Sequence, residues 1–574
     1  MAPSGCTMML DALSASSSCG ARKSSRRRDI KADDTHPHYA KDVVVRETGV
    51  VSQQLESQPF DAIVVGAGHN GLVTAAYLAR GGMKTLLLEA RSHVGGTAAS
   101  ESFGGATVNI CNCDHLTFRT TPVISELSLA AHGLKYIDIE PAQHNMAWDG
   151  TQTSPSWSHH HNLELTLESL SASFPSEVES YRQYVKIASP AINMIFDAAS
   201  EPPTLAGLSK LALRRRFAGT STLLQWSRRS TADVLRSFFT APAITGPAAL
   251  TGPMVWGISP EFKGSGLGAL THAMRHVGTV GRPVGGSGQV TETLLASFVA
   301  AGGSVRTDSP VASISCDGDA VKGVSLTDGT VFDAPVVVSA CNPHDTFLKW
   351  LTRPPPKADD LIRRWRNVPH DEGYESKIDA ILTAPPVLKG HNRPLGPTTV
   401  IAPSLEDIDR GYHLMQHGAV LDRPGMLVNV PTLLDPTMAP EGRHVFSLEA
   451  LFTPYSFRGP DGRGWADPNL HGVEPQRWLQ AFAELCEPGF LDSIVEWRAM
   501  TPAVYESAFH LPAGHATSFA GGPLAAFRNP NPELTNYETA VDGLYLTGAA
   551  TFPGAGVWGA SGRNCATVVL AHRS

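Results

Sequence analysis

The sequence has no apolar segment long enough to cross a membrane, few cysteines and no excess of positive charge. A spanning helix needs roughly 18 or more consecutive uncharged, apolar residues, and the 574 residues contain no such run. The net charge of −8 argues against a nucleic-acid-binding protein. The eight cysteines are scattered, and none forms the C-x-x-C pair typical of redox disulfides and zinc sites. We expect reduced thiols in a protein that is not secreted.

The composition is that of a globular protein, with 42% apolar and 17% charged residues. The length allows two or three domains, or one large enzyme built from two halves. The run His159–His161 lacks Cys, Asp or Glu at ligand spacing, and consecutive residues do not share one helix face. We therefore predict a solvated loop there and no metal site.

Residues 1–58 differ in composition from the rest. They are rich in serine and contain Arg22, Lys23 and Arg26–Arg28, while Asp11 is the one acid before Asp29. Two interpretations remain open, a disordered tail and an organelle transit peptide. No apolar core follows the basic residues, so the segment does not resemble a secretory signal. The expected location is the cytoplasm or an organelle matrix, mitochondrial if the segment is a transit peptide.

The most informative stretch runs from Asp61 to Leu88 and predicts strand, glycine turn, helix and strand. The turn, Gly66 to Gly71, reads G-x-G-x-x-G. Its glycines allow a tight turn, close approach of a pyrophosphate and packing of helix on strand, and the helix N-terminus faces the phosphates. Glu89 ends the second strand, where an acid binds the adenosine ribose. The motif predicts a dinucleotide site.

The residues that follow narrow the choice of cofactor. The chain continues as E-x-R-x-x-x-G-G-T through Arg91, Gly95, Gly96 and Thr97. This extension resembles FAD-binding families related to glutathione reductase, amine oxidases and phytoene desaturases, in which the second glycine pair approaches the flavin phosphates. The resemblance implies FAD rather than NAD.

A second glycine-rich turn lies near the C-terminus. Asp542 to Ala550 reads as a strand and a turn, and Thr551 to Gly562 opens the last helix, predicted over 563–572. A helix N-terminus suits an electron-rich group, because its free N–H groups and dipole favour negative charge. We expect this end to face the flavin ring.

Further strands predicted between the two glycine-rich turns belong to the nucleotide-binding domain. This domain is therefore discontinuous in sequence. The predicted fold class is α/β, a Rossmann-type FAD-binding domain like that of glutathione reductase and amine oxidases, with an inserted α+β substrate domain. The predicted segments are the tail (1–58), a first FAD-binding segment (59–115), a substrate or lid insertion (116–280), a second FAD-binding segment (281–342), a second substrate insertion (343–505) and the C-terminal FAD-binding segment (506–574).

Both ends together resemble the phytoene desaturase-like FAD oxidoreductases, a group that includes pyridine nucleotide-disulphide oxidoreductase domain-containing protein 2 and the desaturase-like β-carotene ketolases. The motifs are GAGHNGLVTAAYLAR (66–80), RPVGGSGQVTETL (282–294), LDPTMAPEG (434–442) and GLYLTGAATFPGAGVWGASGRN (543–564). Many flavoproteins have Gly-Asp where this chain has Gly548-Ala549, and close relatives have a histidine where this chain has Phe552. The resemblance implies a cofactor site of Gly66, Ala67, Gly68, Asn70, Gly71, Glu89, Arg91, Gly95, Gly96, Thr97, Val311, Gly548, Ala549, Gly556 and Val557.

The resemblance implies an FAD-dependent oxidoreductase of dehydrogenase, desaturase or isomerase type that acts on an apolar substrate such as an isoprenoid. Two alternatives remain open, an FAD-binding regulatory protein without turnover and a carotenoid ketolase. No catalytic residue is assigned. Trp558 and Phe552 are candidate pocket walls, and His115 and Arg282 are candidate polar contacts.

Residues 206–239 predict helices that are unusually basic. Lys210, Arg214, Arg215 and Arg216 are interleaved with leucine, phenylalanine and tryptophan. One interpretation is a lid with a solvated basic face. The other is a surface that touches an anionic membrane, where arginine and aromatic residues suit the interface.

Overall fold

The computed structural model describes residues 59–574 except 112, 149–154, 391–394, 397, 460, 466, 468–471, 516–529, 555 and 574. The predicted tail or transit peptide, 1–58, lies outside the described residues. Among the helices that are described, none is both long and apolar enough to span a bilayer.

The described residues form strands and helices with the following bounds. The strands are β1 (Ala62–Val65), β2 (Thr85–Leu88), β3 (Ser100–Phe103), β4 (Ala106–Asn109), β5 (Tyr136–Asp138), β6 (Gln143–Ala147), β7 (Ser156–His159), β8 (Gly281–Pro283), β9 (Ser304–Arg306), β10 (Val311–Asp317), β11 (Ala320–Leu326), β12 (Val331–Asp333), β13 (Val336–Ser339), β14 (Leu351–Thr352), β15 (Glu375–Leu382), β16 (Thr399–Ala402), β17 (Met426–Asn429), β18 (His444–Leu451), β19 (Ile494–Met500) and β20 (Leu544–Leu546). The helices are α1 (His69–Arg80), α2 (Val123–Glu126), α3 (Leu163–Ser173), α4 (Val178–Ala199), α5 (Leu205–Arg214), α6 (Thr220–Trp226), α7 (Thr231–Arg236), α8 (Pro242–Leu250), α9 (Leu270–Ala273), α10 (Gly288–Ala300), α11 (Asp359–Asn367), α12 (Leu405–Met415), α13 (Val473–Ala483), α14 (Phe490–Ser493), α15 (Pro502–Phe509), α16 (Glu533–Asn536) and α17 (Ala560–Arg573).

A five-stranded parallel sheet holds the two glycine turns. Its order is β20-β13-β1-β2-β9, and each neighbouring pair is parallel. Its central strands are apolar and buried on both faces, as parallel sheets with covered faces require. One face packs on α1, α10 and α17, and the other packs on the antiparallel sheet of β10, β11 and β12. The predicted α/β fold with a Rossmann-type FAD-binding domain is confirmed.

The second half of the molecule is built on a seven-stranded sheet of order β19-β15-β18-β17-β16-β6-β7. Both predicted insertions contribute to it, since β6 pairs in parallel with β16 about 250 residues later in the chain. One face packs on α13 and α14. The other face packs on α4 and α8 and on the hairpin of β3 and β4. This face is the one turned toward the glycine turns.

The predicted boundary at residue 342 does not coincide with a break in packing. Leu351 pairs with Ile314 of the antiparallel sheet, and Leu361 and Trp365 of α11 are buried in the same apolar cluster. Residues 345–367 therefore pack with the FAD-binding half. The remaining domain boundaries stay predictions.

Candidate FAD site

The turn between β1 and α1 brings backbone close to backbone. A Cβ added at Gly71 would lie 2.0 Å from the carbonyl oxygen of Gly66, and Gly66 itself has a φ of +95°. Gly68 differs, because a Cβ added there would meet no protein atom within 4 Å. The open side of Gly68 lies at the N-terminus of α1, where a pyrophosphate binds in such turns.

The second glycine pair lies against this turn. The amide of Gly95 donates a 2.8 Å hydrogen bond to the carbonyl of Ala67, and Gly95 forms a parallel bridge with Gly68. A Cβ added at Gly96 would lie 3.3 Å from the Cα of Gly68. Thr97 follows in the short turn Gly96–Ala98. Both glycine pairs therefore border one cradle, as the sequence interpretation requires.

Glu89 organises the end of the cradle expected to hold adenosine. Its carboxylate accepts hydrogen bonds from the amide of Ala67 at 2.8 Å and from the amide of Arg91 at 3.0 Å. Its carbonyl accepts from the amide of Ser309 at 2.8 Å. Ser309 leads directly into β10, which begins at Val311. Glu89 and Val311 are thus brought to one place although they are far apart in sequence.

Two contacts fix the side chain of Arg91 in place. Its Nη2 donates to Oε1 of Glu101 at 2.7 Å, and its guanidinium lies over the ring of Phe509, 4.0 Å from the centroid. Burial alone would raise the pKa of Glu101, but the His93 hydrogen bond, Arg498 and Arg91 lower it to about 2. The Nη1 of Arg91 is buried without a partner among the described residues, so this atom can still bind a ligand oxygen.

The C-terminal turn meets the N-terminus of α1. The amide of Gly562 donates to Oδ1 of Asn70 at 3.4 Å, and the carbonyl of Gly562 accepts from Thr74 Oγ1 at 3.0 Å. The amide of Gly548 donates to Ser561 Oγ at 3.1 Å. Asn70 therefore joins two helix N-termini. Ala549 follows Gly548 in the same turn, and the carbonyl of Val557 accepts from Thr117.

A half-buried histidine that the sequence interpretation missed, His69, lies between the two turns. Nε2 of His69 is buried without a partner in the described part of the chain. Burial lowers the pKa of His69 to about 4, which a hydrogen bond with the backbone of Gly556 partly opposes. Its position inside G-x-G-x-x-G is the signal that could have identified it. A neutral imidazole with an open nitrogen fits a polar cofactor atom at this point.

These features fit FAD. The cradle has an open glycine face, an acid for the ribose, an available guanidinium nitrogen, two convergent helix N-termini and an unpartnered imidazole nitrogen. The predicted site residues fall into three adjoining groups. One is the turn between β1 and α1 with the second glycine pair, one is the end at Glu89 and Val311, and one is the C-terminal turn. Their individual roles toward FAD stay predictions.

Two carboxyl groups that the sequence interpretation missed line the neighbouring sheet face. Glu375 of β15 and Glu449 of β18 are hydrogen-bonded to each other, and Cys111 Sγ donates to Glu375 Oε1 at 3.6 Å. Burial raises the pKa of Glu375, and burial together with the charge of Glu375 raises the pKa of Glu449 well above its usual value. Both residues keep some accessible surface. An acid inside the apolar run HVFSLEAL was the available signal.

The loop that follows β4 connects this pair with the cradle. Lys377 Nζ donates to the carbonyl of Asn109 at 2.7 Å, and Tyr505 OH donates to the carbonyl of Ile110 at 3.2 Å. Further along the loop, Thr117 Oγ1 donates to the carbonyl of Val557 at 2.8 Å. The loop therefore runs from the carboxyl pair to the end of the cradle expected to hold the flavin.

The candidate contacts from sequence have different environments. Arg282 is buried and donates to Asp114 at 2.6 Å, while burial lowers the pKa of His115 to about 3. Trp558 is buried against Phe196, with ring centroids 6.1 Å apart. Phe552 is half-buried.

The prediction of a solvated loop at His159–His161 is wrong for His159. This residue ends β7 and is fully buried, because β7 pairs with β6 and turns His159 toward α4 and α9. Its Nε2 lies 3.0 Å from Nε2 of His276. Burial lowers the pKa of His159 well below its ordinary value.

Comparison with known proteins agrees with the geometry. Residues 71–388 match the family described as flavin containing amine oxidoreductase. The chain belongs to this family. This flavin-containing oxidoreductase is 30% identical over 555 residues to rat pyridine nucleotide-disulfide oxidoreductase domain-containing protein 2, covering 89% of this chain and 93% of the relative. It is 28% identical to one chain of the limonene dehydrogenase of Castellaniella defragrans, over 90% of this chain and 95% of that one.

A third relative, the lycopene-forming phytoene desaturase of Pantoea ananas, is 25% identical over 88% of this chain and 98% of its own. The fold matches that of a putrescine oxidase triple mutant with a TM-score of 0.58, at 16% identity over 90% of this chain and 99% of that one. The resemblance to phytoene desaturase-like proteins is confirmed. The protein is an FAD-dependent oxidoreductase.

Proposed function

We propose that this FAD-dependent oxidoreductase is a dehydrogenase, desaturase or isomerase of an apolar isoprenoid substrate. The observation that carries the proposal is the apolar wall at the flavin end of the cradle. Trp558 and Ala560 belong to one apolar cluster with Phe196 of α4 and Ile244 of α8. Relatives whose names include limonene dehydrogenase and phytoene desaturase support a hydrocarbon substrate.

Bound FAD would accept a hydride at its N5 atom. Forming a carbon–carbon double bond also releases one proton from the neighbouring carbon, and this proton needs an acceptor. Glu375 and Glu449 suit that task, since their mutual hydrogen bond lets the pair hold one proton and take up or release another. The same pair could return a proton during isomerisation. We assign the pair this acid–base role.

The test is anaerobic reduction of the bound flavin in the purified holoprotein. We expect phytoene or limonene to bleach the oxidised flavin band and to yield a product with one more double bond. A cis-carotenoid mixed with chemically reduced holoprotein tests the isomerase form. Putrescine serves as the contrasting amine substrate. Bleaching by putrescine, with no change in any isoprenoid, would overturn the proposal.

The two alternative functions predict different results with the same purified holoprotein. A carotenoid ketolase would consume oxygen with a carotenoid and a reductant. A regulatory protein would bind FAD and leave every substrate unchanged.

The location within the cell depends on residues 1–58. We propose that this segment decides between the cytoplasm and an organelle matrix. A fusion of residues 1–58 to a fluorescent protein would test this. Diffuse fluorescence would exclude the mitochondrial alternative.

A further inference from the structure

Exposed apolar side chains concentrate on one surface, formed by α5, α6 and the loop at residue 262. Four of the five most exposed large apolar side chains among the described residues lie there: Leu205 at 67%, Leu213 at 64%, Phe262 at 59% and Phe217 at 58%. Leu224 on α6 is also exposed. The loop reaches α6 because the amides of Gly264 and Gly266 donate to the carbonyl of Arg229. Such an apolar surface marks an interaction site.

The same surface is positively charged in a protein of net charge −8. Residues 202–232 contain six basic residues and no acid. Arg214 and Arg215 share the single carboxylate of Asp197, so this group keeps an excess positive charge. Lys210, Arg216 and Arg228 are exposed. Along α5 and the turn that follows it, exposed basic and exposed apolar residues are interleaved in sequence.

We propose that this docking surface, made of Leu205, Leu213, Phe217, Leu224 and Phe262 with Lys210, Arg214, Arg216 and Arg228, binds an anionic lipid bilayer. Apolar side chains at the centre can enter the acyl region while the basic ones remain at the headgroups. A second copy of this chain would bring like charges together. A nucleic acid would leave the leucines and phenylalanines without a partner.

The docking surface is connected to the interior. Leu211 of α5 and Leu223 of α6 point inward and belong to the apolar cluster that extends to Trp558 and Ala560. An apolar substrate taken from the bilayer would thus meet apolar side chains on its way to the flavin end. This second statement rests on the proposed function, whereas membrane binding does not.

The experiment measures cosedimentation of the holoprotein with vesicles of phosphatidylcholine alone or with added phosphatidylglycerol. We expect binding to the anionic vesicles. The double variant Lys210→Gln/Arg216→Gln should bind these vesicles about 25-fold more weakly, since each basic residue at such a surface contributes about fivefold. The double variant Leu213→Ser/Phe217→Ser should also lose most binding.

Matched controls are Val331→Ser, an exposed apolar residue on β12, and Lys322→Gln, an exposed lysine on β11. Neither control should change binding. Retained flavin absorbance shows that each variant is folded. Arg26–Arg28 can also attract an anionic surface, and every variant keeps them. The difference in binding among the variants therefore reports the contribution of the docking surface. Equal binding of all variants to the anionic vesicles would overturn the proposal. Equal binding of the native protein to neutral and to anionic vesicles would also overturn it. So would a dimer in solution that Leu213→Ser/Phe217→Ser dissociates, since it would make a second copy the partner.

Discussion

Replacing Gly68 by alanine separates binding of FAD from stability of the fold. Gly68 has φ −65° and ψ 167°, which alanine adopts without strain, and an added Cβ meets no protein atom within 4 Å. At this N-cap, alanine loses stability relative to glycine, but it also restricts the unfolded chain, so we expect a net change within about 1 kcal/mol. The methyl group would occupy the space of the pyrophosphate. We expect FAD affinity to fall about 100-fold, which equals about 2.7 kcal/mol.

Gly71→Ala is the matched comparison. Its Cβ would lie 2.0 Å from the Gly66 carbonyl oxygen and 3.1 Å from the Cβ of Ala340. Overpacking of this kind costs about 3 kcal/mol, so the apoprotein itself should lose stability. The assay combines urea unfolding of the apoproteins with titration of FAD fluorescence quenching. Unchanged FAD affinity in Gly68→Ala would refute the position of the pyrophosphate, as would a stability loss equal to that of Gly71→Ala.

Three other predictions concern ionisable groups. Glu89→Gln should weaken FAD binding about tenfold or more in the same titration, because a charged acceptor of hydrogen bonds is lost; an unchanged dissociation constant would contradict the role given to Glu89. The raised pKa of Glu449 contributes stability that is complete below the unfolded-state pKa of about 4.3 and is lost as pH rises. Glu449→Gln should therefore gain stability relative to the native protein as pH rises above about 4.3 in urea unfolding, and parallel pH profiles would count against the carboxyl pair. His69 and His115, whose pKa values fall to about 4 and about 3, contribute stability that is complete above about pH 6.5 and is lost as pH falls. These two histidines together should contribute a decrease approaching about 2.7 kcal/mol per pH unit below that point, since the unfolded state takes up about two more protons there. His159, whose pKa burial also lowers, adds to this decrease. A flat profile of apoprotein unfolding would show that these histidines are solvated.

The glycine turns could be predicted because the interactions that form them join residues close together in sequence. The helix predicted after the first glycine turn is present as His69–Arg80, and the predicted last helix 563–572 lies within Ala560–Arg573. Ser230 caps α7 in the same local way, since its Oγ accepts from the amide of Asp233 at 3.0 Å. In each case, spacing over a few residues fixes the backbone.

The substrate half could not be predicted because its contacts are distant in sequence. The pairing of β6 with β16 leaves no signature in either strand. The burial of His159 depends on His276 and Tyr181, which belong to other elements. Likewise, Glu375 and Glu449 become a pair only when β15 and β18 align side by side.

The most direct test of the account is the absorbance of the oxidised flavin after anaerobic mixing with phytoene, in the native protein and in Glu449→Gln. We expect bleaching and a desaturated product with the native protein, and much slower bleaching with the variant at equal flavin content. No bleaching by phytoene or by any other isoprenoid, together with bleaching by putrescine at equal rates in both proteins, would contradict it.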